Sequence, residues 1–200
     1  MTDAADVEAK QASAKRGVGR PRDPGLEQRI KTSALETLAR YGFSGLTLER
    51  VCAGAGVPKA TFYRRWSTPR EAVIEAFIER FEHGLIQETG DLRADLLTFS
   101  DRLIDLYADP VLGPCTAQMS TEARFRPEEL QLVLDAQQRR RRHNRTAVRQ
   151  ALERAGLDPG LSAQVILTTL NGLAYFGYST GQPATHDDFA RLIDKLLKPA

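Results

Sequence analysis

The strongest constraint on the fold is the segment 47–66, which reads TLERVCAGAGVPKATFYRRW. Thr47 can cap a first short helix, whose apolar residues then fall on one face. Gly54 and Gly56 end that helix and allow the chain to reverse its direction. Pro58 suits the first position of a second helix, because the N–H that proline lacks has no helical partner there. The pattern predicts a helix-turn-helix, whose second helix offers a polar and basic surface to the major groove of DNA.

Charge is spread unevenly along the 200 residues, although the net charge is only +2. Residues 1–66 hold 12 Lys and Arg against 7 Asp and Glu, which gives +5. Residues 67–200 hold 16 against 19, which gives −3. A basic front and an acidic rear favour a DNA-binding end joined to a domain with another task.

The sequence carries no sign of secretion or of membrane insertion. The first residues are polar and acidic, so they do not resemble a signal peptide, and no run of about 18 apolar residues occurs. The two cysteines, Cys52 and Cys115, predict buried free thiols, with redox sensing by Cys115 as the alternative. We expect a cytoplasmic protein without a membrane partner.

From Leu26 onward the apolar residues recur at helical spacing, and strand-like alternation of useful length is absent. The sequence predicts an all-α fold of about nine helices. A homeodomain-like, three-helix DNA-binding domain is expected over residues 25–67, and a second helical domain over residues 68–200. Besides the two motif helices, the predicted helices cover about residues 26–41, 69–89, 92–108, 115–123, 127–155, 161–179 and 187–198.

Residues 1–24 are polar, Ala-rich and interrupted by Gly and Pro, so they are predicted to be a disordered basic arm. The end of the arm carries Lys15, Arg16, Arg20 and Arg22. Such an arm can enter a minor groove beside the main contact. The alternative is a solvated tail that is attracted only diffusely to phosphates.

The predicted helix 161–179 is apolar almost all round, so it needs cover on two faces. Its own domain can cover one face. The small residues Thr168, Thr169, Gly172 and Gly177 permit another helix to approach closely on the other. We therefore expect the last two helices of two subunits to form a four-helix dimer interface. The alternative is a monomer with a well-buried central helix.

The segment 47–66 resembles the signature of TetR/AcrR-type transcriptional regulators. A threonine, an aliphatic pair, Ala-Gly-Val, Thr-x-Tyr and a terminal aromatic recur at that family's spacing, and the resemblance covers about residues 26–72. It implies a dimeric repressor whose helix 58–65 enters the major groove of a DNA operator. It also implies a C-terminal pocket, whose small-molecule effector spreads the two DNA-binding heads and releases the operator.

The resemblance also implies which side chains contact DNA. The candidates are Thr47, Lys59, Ala60, Thr61, Tyr63, Arg64, Arg65 and Arg70. The residues expected to face the bases or the flanking phosphates are Lys59, Ala60, Tyr63 and Arg64. Those expected to contact phosphate are Thr47, Thr61 and Arg65. Phe62 and Trp66 would lie in the core. The family often has Lys three residues after the terminal aromatic, but here Pro69 stands there and Arg70 follows, so that phosphate contact is displaced or lost.

Candidate ligand-binding residues lie along the long helices of the second domain. They are Phe77, Phe81, Phe99, Leu103, Tyr107, Met119, Phe125, Leu167, Asn171, Tyr175 and Tyr178. Each is an equally good core residue. Asn171, Tyr175 and Tyr178 are the stronger candidates, because they place polar groups on an apolar helix and a buried polar group needs a partner. The aromatic content favours an apolar or aromatic effector.

Several other signals point away from catalysis, so we expect a protein that is not an enzyme. The run Gly177-Tyr178-Ser179-Thr180-Gly181 matches a nucleophile elbow by letter, but a helix precedes it. The elbow also needs an acid and then a histidine after the serine, whereas here Asp187 and Asp188 follow His186 and no later histidine occurs. The three histidines, His83, His143 and His186, lack metal-ligand spacing, so no metal and no cofactor are expected.

The arginine run from Arg139 to Arg149 is predicted to be a solvated helix face with intramolecular ion pairs. The alternatives are an anionic ligand and a second nucleic-acid surface. For the whole chain, the alternative function is a DNA-binding regulator whose second domain binds a protein partner instead of a small molecule.

Overall fold

The computed structural model describes residues 25–81, 85–157 and 161–198. These ranges contain nine α-helices and no strand, which confirms the predicted all-α fold. The helices are α1 Leu26–Gly45, α2 Leu48–Ala55, α3 Lys59–Phe62, α4 Pro69–Phe81, α5 Leu92–Ala108, α6 Leu112–Phe125, α7 Gln131–Ala155, α8 Ala163–Thr180 and α9 His186–Leu196. The predicted arm over residues 1–24, residue His83 and the side chain of Phe81 lie outside the described part.

The helix-turn-helix forms from the local signals that predict it. The hydroxyl of Thr47 accepts a 3.4 Å hydrogen bond from the backbone N–H of Arg50 and so caps α2. Gly56 ends α2 in the left-handed region at φ 65°, which a side chain would disfavour. Pro58 then precedes α3, which is only four residues long and shorter than the predicted helix 58–65. The turn at residues 63–65 continues it towards Trp66.

The first helix bends where its end is predicted. Gly42 has φ 67° and ψ 179°, so the regular path of α1 is interrupted there before a last turn reaches Gly45. Two other predicted starts shift by three or four residues, since α6 begins at Leu112 and α7 at Gln131.

The prediction of one helix over residues 69–89 is wrong at its C-terminal end, because residues 85–89 are not helical. Side chains of later helices hold this segment instead. The backbone N–H of Ile86 donates to Asn144 Oδ1 at 3.0 Å. The backbone N–H and hydroxyl of Thr89 both donate to the carboxylate of Asp95, at 2.6 to 3.2 Å. Leu85 is exposed.

Two hydrophobic cores organise the chain. The first joins α1 to α4 with α6 and the start of α7, and Leu38, Phe62 and Phe77 are fully buried in it. The second joins α5, α7, α8 and α9 around buried residues such as Phe99 and Phe189. Because α6 and α7 contribute to the first core, that core extends past residue 67. The domain division at residue 67 therefore stays a prediction. None of the helices in the described ranges is long and apolar enough to cross a membrane.

Candidate DNA-binding interface

The recognition helix α3 is fixed from below by two aromatic side chains. Phe62 is fully buried and Trp66 nearly so, with their ring centroids 5.5 Å apart. Burying a side chain of this size contributes roughly 1.5–3 kcal/mol, which anchors a helix too short to be stable alone. The indole Nε1 of Trp66 also donates to the carboxylate of Glu75 on α4 at 2.9 Å. The helix thus presents its other face at a defined position.

The outer face of α3 carries the predicted base-facing residues. Lys59, Ala60 and Arg64 are exposed, and Tyr63 is 59% exposed. Thr61 is half-buried and its hydroxyl accepts a 3.4 Å hydrogen bond from the Arg64 guanidinium. These side chains lie together on one surface, as the sequence predicts.

Lys59 is held by an acidic partner. Its ammonium group forms an ion pair with the carboxylate of Glu49 on α2. The hydrogen bond with Lys59 and its charge lower the pKa of Glu49, and the same partner raises the pKa of Lys59. Both side chains are more than half exposed, so the pair is weak and can exchange for a phosphate or a base.

Behind α3 lies a set of charges that sequence reasoning missed, which we call the Lys31 cluster: Glu27, Lys31, Arg65, Glu75 and Glu79. The Lys31 side chain is only 5% exposed. Its ammonium nitrogen lies 2.8 Å from Glu27, 2.8 Å from Glu75 and 2.6 Å from Glu79. Arg65 shares two of these carboxylates, at 3.2 Å from Glu27 and 3.0 Å from Glu75.

Electrostatics within the Lys31 cluster favour the charged forms. Burial alone would lower the pKa of Lys31, but hydrogen bonds to three carboxylates outweigh it and raise that pKa. Burial alone would raise the pKa of Glu75, but hydrogen bonds from Lys31, Trp66 and Arg65 bring it down to about 2. The cluster therefore ties α1, α4 and the end of the recognition helix together. In the sequence its only local signal is the pair of Glu27 and Lys31 four residues apart.

Arg70 lies in a different setting from the other predicted DNA contacts. Its guanidinium is 3.0 Å from Glu122 on α6 and 3.2 Å from Glu129, which precedes α7. It also stacks over the Phe43 ring at 4.5 Å. Its side chain is 24% exposed, so Arg70 links the start of α4 to the second half of the chain.

A cavity of about 630 Å³ lies between α5, α8 and the segment that leads into α9. Of the predicted ligand residues, it brings together Leu103, Tyr107 and Tyr178. Tyr175 contacts one of these tyrosines, since its ring centroid is 6.0 Å from that of Tyr107. Two acidic residues and a histidine line the cavity although sequence reasoning missed them, namely Asp101, Asp105 and His186.

The remaining predicted ligand residues lie elsewhere. Phe77 and Met119 are buried in the first core, and Phe99 is buried in the second. Leu167 also belongs to the second core, and Asn171 donates to its carbonyl oxygen at 2.8 Å, so the amide is satisfied within α8. Phe125 is 78% exposed at the end of α6. None of these six residues lines the cavity.

The structure also settles three side questions from the sequence. Ser179 lies within α8, where its hydroxyl donates to the carbonyl of Phe176 at 2.9 Å, so the Gly-x-Ser-x-Gly run is helical and does not form an elbow. Burial raises the pKa of the Cys115 thiol to about 12, which disfavours the reactive thiolate. In the arginine run, Arg149 forms an ion pair with Glu153 at 3.4 Å.

The comparisons with known proteins agree with this geometry. Residues 30–76 match the model of the bacterial regulatory proteins of the tetR family. Residues 86–196 match the tetracyclin repressor-like C-terminal domain. The chain belongs to the TetR family. It is therefore a DNA-binding transcriptional regulator, and members of this family generally are not enzymes.

Individual TetR-family relatives cover nearly the whole chain. The HTH-type transcriptional regulator Rv1556 of Mycobacterium tuberculosis is 27% identical over 190 residues, which cover 90% of this chain and 92% of the relative. The fatty acid degradation regulator FadR of Bacillus halodurans has a similar fold, with a TM-score of 0.69 at 16% identity over 85% of this chain and 96% of that one. A regulator from Saccharomonospora viridis in complex with choline has a TM-score of 0.64 at 18% identity, over 84% and 93% of the two chains.

Proposed function

We propose that this TetR-family regulator is a homodimeric repressor that leaves a pseudo-palindromic operator when a small molecule binds its C-terminal domain. The observation that carries the proposal is the recognition helix. Its polar and basic residues are exposed together, while Phe62 and Trp66 hold them on a buried base. Two such heads in a dimer would read half-sites about one helical turn of DNA apart.

Each exposed side chain of α3 suits a different contact. Lys59 and Arg64 can donate to the guanine acceptors O6 and N7, and the methyl group of Ala60 can touch a thymine methyl. Tyr63 would lie against the flanking backbone or a base edge. Thr47, Thr61 and Arg65 are assigned to phosphates, which position the helix without reading sequence.

Arg70 has a different proposed role. Its guanidinium is paired with Glu122 and Glu129, and its side chain is only 24% exposed, against 54% for the similarly paired Arg65. We therefore assign Arg70 to the link between α4 and the C-terminal half instead of to a phosphate. Helix α4 thus contacts the DNA-binding head through Glu75 and Glu79 of the Lys31 cluster, and it contacts α6 through Arg70. A change in the C-terminal half could reach the recognition helix through it.

The dimer proposal rests on an uncovered face of α8. Val165 is exposed, Phe176 is 67% exposed, and a side chain added at Gly172 would meet no atom within 4 Å. Thr168 is exposed on the same face. An apolar, small-residue stripe of this kind suits the close approach of a second helix. It also disfavours the alternative of a monomer whose central helix is covered on all sides.

Release by a small molecule is supported by the cavity and by one relative. The cavity of about 630 Å³ has the size of a small-molecule site and opens between helices of the C-terminal half. The regulator from Saccharomonospora viridis holds choline in its structure. An effector would release DNA only if it binds the DNA-incompetent arrangement of the two heads more tightly than the competent one.

The alternative, regulation by a protein partner, is favoured by one observation. Phe125 at the end of α6 and Leu132 at the start of α7 are both large apolar residues that are more than 60% exposed. Exposed apolar surface of this kind can mark a protein interface. Retention of a partner on the purified protein, lost on Phe125→Ser, would favour this alternative.

Enrichment of genomic fragments by the purified protein at two salt concentrations tests the DNA-binding proposal. A short palindrome that survives the higher salt concentration would support specific readout. Sequence-blind binding that is lost as the salt concentration rises would mean phosphate attraction alone and would contradict the proposal.

A further inference from the structure

The cavity between α5, α8 and the start of α9 has a chemical character that narrows the class of its ligand. We propose that it binds a small organic cation, an ammonium group attached to an apolar or aromatic body. Binding of the cation to the cavity can be measured on the protein without DNA. Only the expectation that this binding changes operator affinity rests on the proposed release by an effector.

The body of the ligand would contact an apolar wall. Leu103 and Ile104 of α5 and Ala174 of α8 line the cavity, and Pro183 closes it from the segment before α9. Gly177 allows that segment to pass close to α8, because a side chain there would lie 2.8 Å from the carbonyl oxygen of Gln182. Walls of this kind favour a ligand with a hydrophobic portion.

The tyrosines supply a surface that attracts positive charge. Tyr107 and Tyr178 line the cavity with ring centroids 5.2 Å apart, and the ring centroid of Tyr175 is 6.0 Å from that of Tyr107. An ammonium group that lies within about 6 Å of an aromatic face gains roughly 0.5–2 kcal/mol. Several rings around one site are the usual means by which proteins bind quaternary ammonium groups.

Two carboxylates give the cavity lining a negative charge. Asp101 and Asp105 line it from α5. Asp101 already has a partner, since its carboxylate lies 2.7 Å from His186 Nδ1. Asp105 is exposed, and its carboxylate has no ion pair within the described ranges. It is therefore the group best able to neutralise a ligand cation.

The two positively chargeable side chains considered near the cavity, His186 and Arg140, do not favour an anionic ligand. His186 is the lining residue that can carry a positive charge, and it faces Asp101. Arg140 on α7 affects Tyr107 electrostatically but does not line the cavity, and burial lowers its pKa to about 10. Since the charged or chargeable side chains in the lining are Asp101, Asp105 and His186, the cavity matches a cation better than an anion.

Three probes with nearly the same size test the proposal: 2-phenylethylammonium, neutral 2-phenylethanol and anionic phenylacetate. Their dissociation constants are measured on the full chain without DNA, by calorimetry at neutral pH. We expect the ammonium probe to bind about tenfold more tightly than the alcohol, and phenylacetate to bind most weakly. A tie between the ammonium probe and the alcohol, tighter binding of phenylacetate, or no binding of any probe to the folded protein would overturn the proposal.

Two variants locate the effect. Asp105→Asn should weaken the ammonium probe by about three- to tenfold and leave the alcohol unchanged, because a single partly solvated charge pair is lost. Asp187→Asn is the matched control, since this exposed carboxylate lies next to His186 but does not line the cavity. Equal losses of affinity for the ammonium probe in the two variants would mean that surface carboxylates attract it only diffusely, and would overturn the proposed site. If Asp105→Asn does not fold, the ranking of the three probes on the natural chain decides the question.

A separate measurement keeps this proposal distinct from effector release. Operator binding is followed by fluorescence anisotropy with and without the ammonium probe. Binding of the probe without any change in operator affinity would contradict release and leave the cation site standing. A protein that binds no operator at all would contradict the proposed function, while the calorimetry would still decide the cation site.

Discussion

The indole Nε1 of Trp66 donates to a carboxylate oxygen of Glu75, and the other oxygen of that carboxylate lies 2.8 Å from the buried ammonium of Lys31. Trp66, just beyond the recognition helix, and Lys31, in the second turn of α1, therefore share one acid from α4. The position of α3 is thus coupled to α4 by charge as well as by the packing of Phe62.

Neutralising that acid tests the coupling. We expect Glu75→Gln to lower the free energy of unfolding by about 1–2 kcal/mol, because charge-assisted hydrogen bonds to Lys31 and Arg65 are lost. Operator affinity should fall as well, since α3 loses part of its support. Urea unfolding and fluorescence anisotropy measure the two effects. Glu128→Gln, an exposed acid at some distance in sequence, is the control. Equal behaviour of the two variants would disprove the coupling.

The same carboxyl group predicts a dependence of stability on pH. The pKa of Glu75 is about 2 in the folded chain against 4.5 as the ordinary value. Its folded pKa is depressed, so its contribution is fully present above about pH 4.5 and is lost as the pH falls towards 2. The stability difference between the natural chain and Glu75→Gln should therefore shrink from pH 6 to pH 3. A difference that stays constant or grows over this range would rule out the proposed ion pairing.

Arg70 distinguishes a phosphate contact from a structural link. We expect Arg70→Ala to reduce stability but to leave the salt dependence of operator binding unchanged, because its guanidinium is occupied by Glu122 and Glu129. Arg65→Ala, at a more exposed arginine that we assign to a phosphate, should reduce the slope of log affinity against log salt concentration by about one. A similar reduction in Arg70→Ala would restore Arg70 as a DNA contact.

The exposed face of α8 predicts the assembly. Phe176→Asp should convert a dimer into a monomer, since it places a charge on the apolar stripe with Val165 and Gly172. Size-exclusion chromatography with light scattering measures this against the chain mass of 22.2 kDa. Leu132→Asp, an equally exposed apolar residue on α7, is the matched control. A natural chain that is monomeric at micromolar concentration would end the dimer proposal.

Helical periodicity and capping signals were enough to predict most of this fold. Thr47 caps the start of α2, and Gly56 and Gly156 end α2 and α7. Each of these effects involves only a few neighbouring residues, so it can be predicted from the local sequence. The segment 85–89 could not be predicted in this way. Its apolar spacing continues that of α4, but Asn144 and Asp95 hold its backbone in a non-helical path.

The candidate sites also divide into features that the local sequence predicts and features that depend on residues far apart in the chain. The exposed residues of α3 follow from a contiguous motif. The Lys31 cluster and the cavity depend on charges brought together by folding, since Lys31 and Glu79 are 48 residues apart and Asp101 and His186 are 85 apart. Helical spacing also could not tell Met119, which is fully buried in the first core, from Tyr107, which lines the cavity.

The central claim is that exposed residues of the recognition helix read base sequence. The most direct measurement compares the affinities of Lys59→Ala and Arg64→Ala for the operator and for random DNA at one salt concentration. Arg149→Ala, an exposed arginine of α7, is the control. Loss of a guanine contact should reduce the discrimination between the two DNAs by about 1–3 kcal/mol. Equal losses on both DNAs would contradict base reading and leave these side chains with phosphate attraction alone.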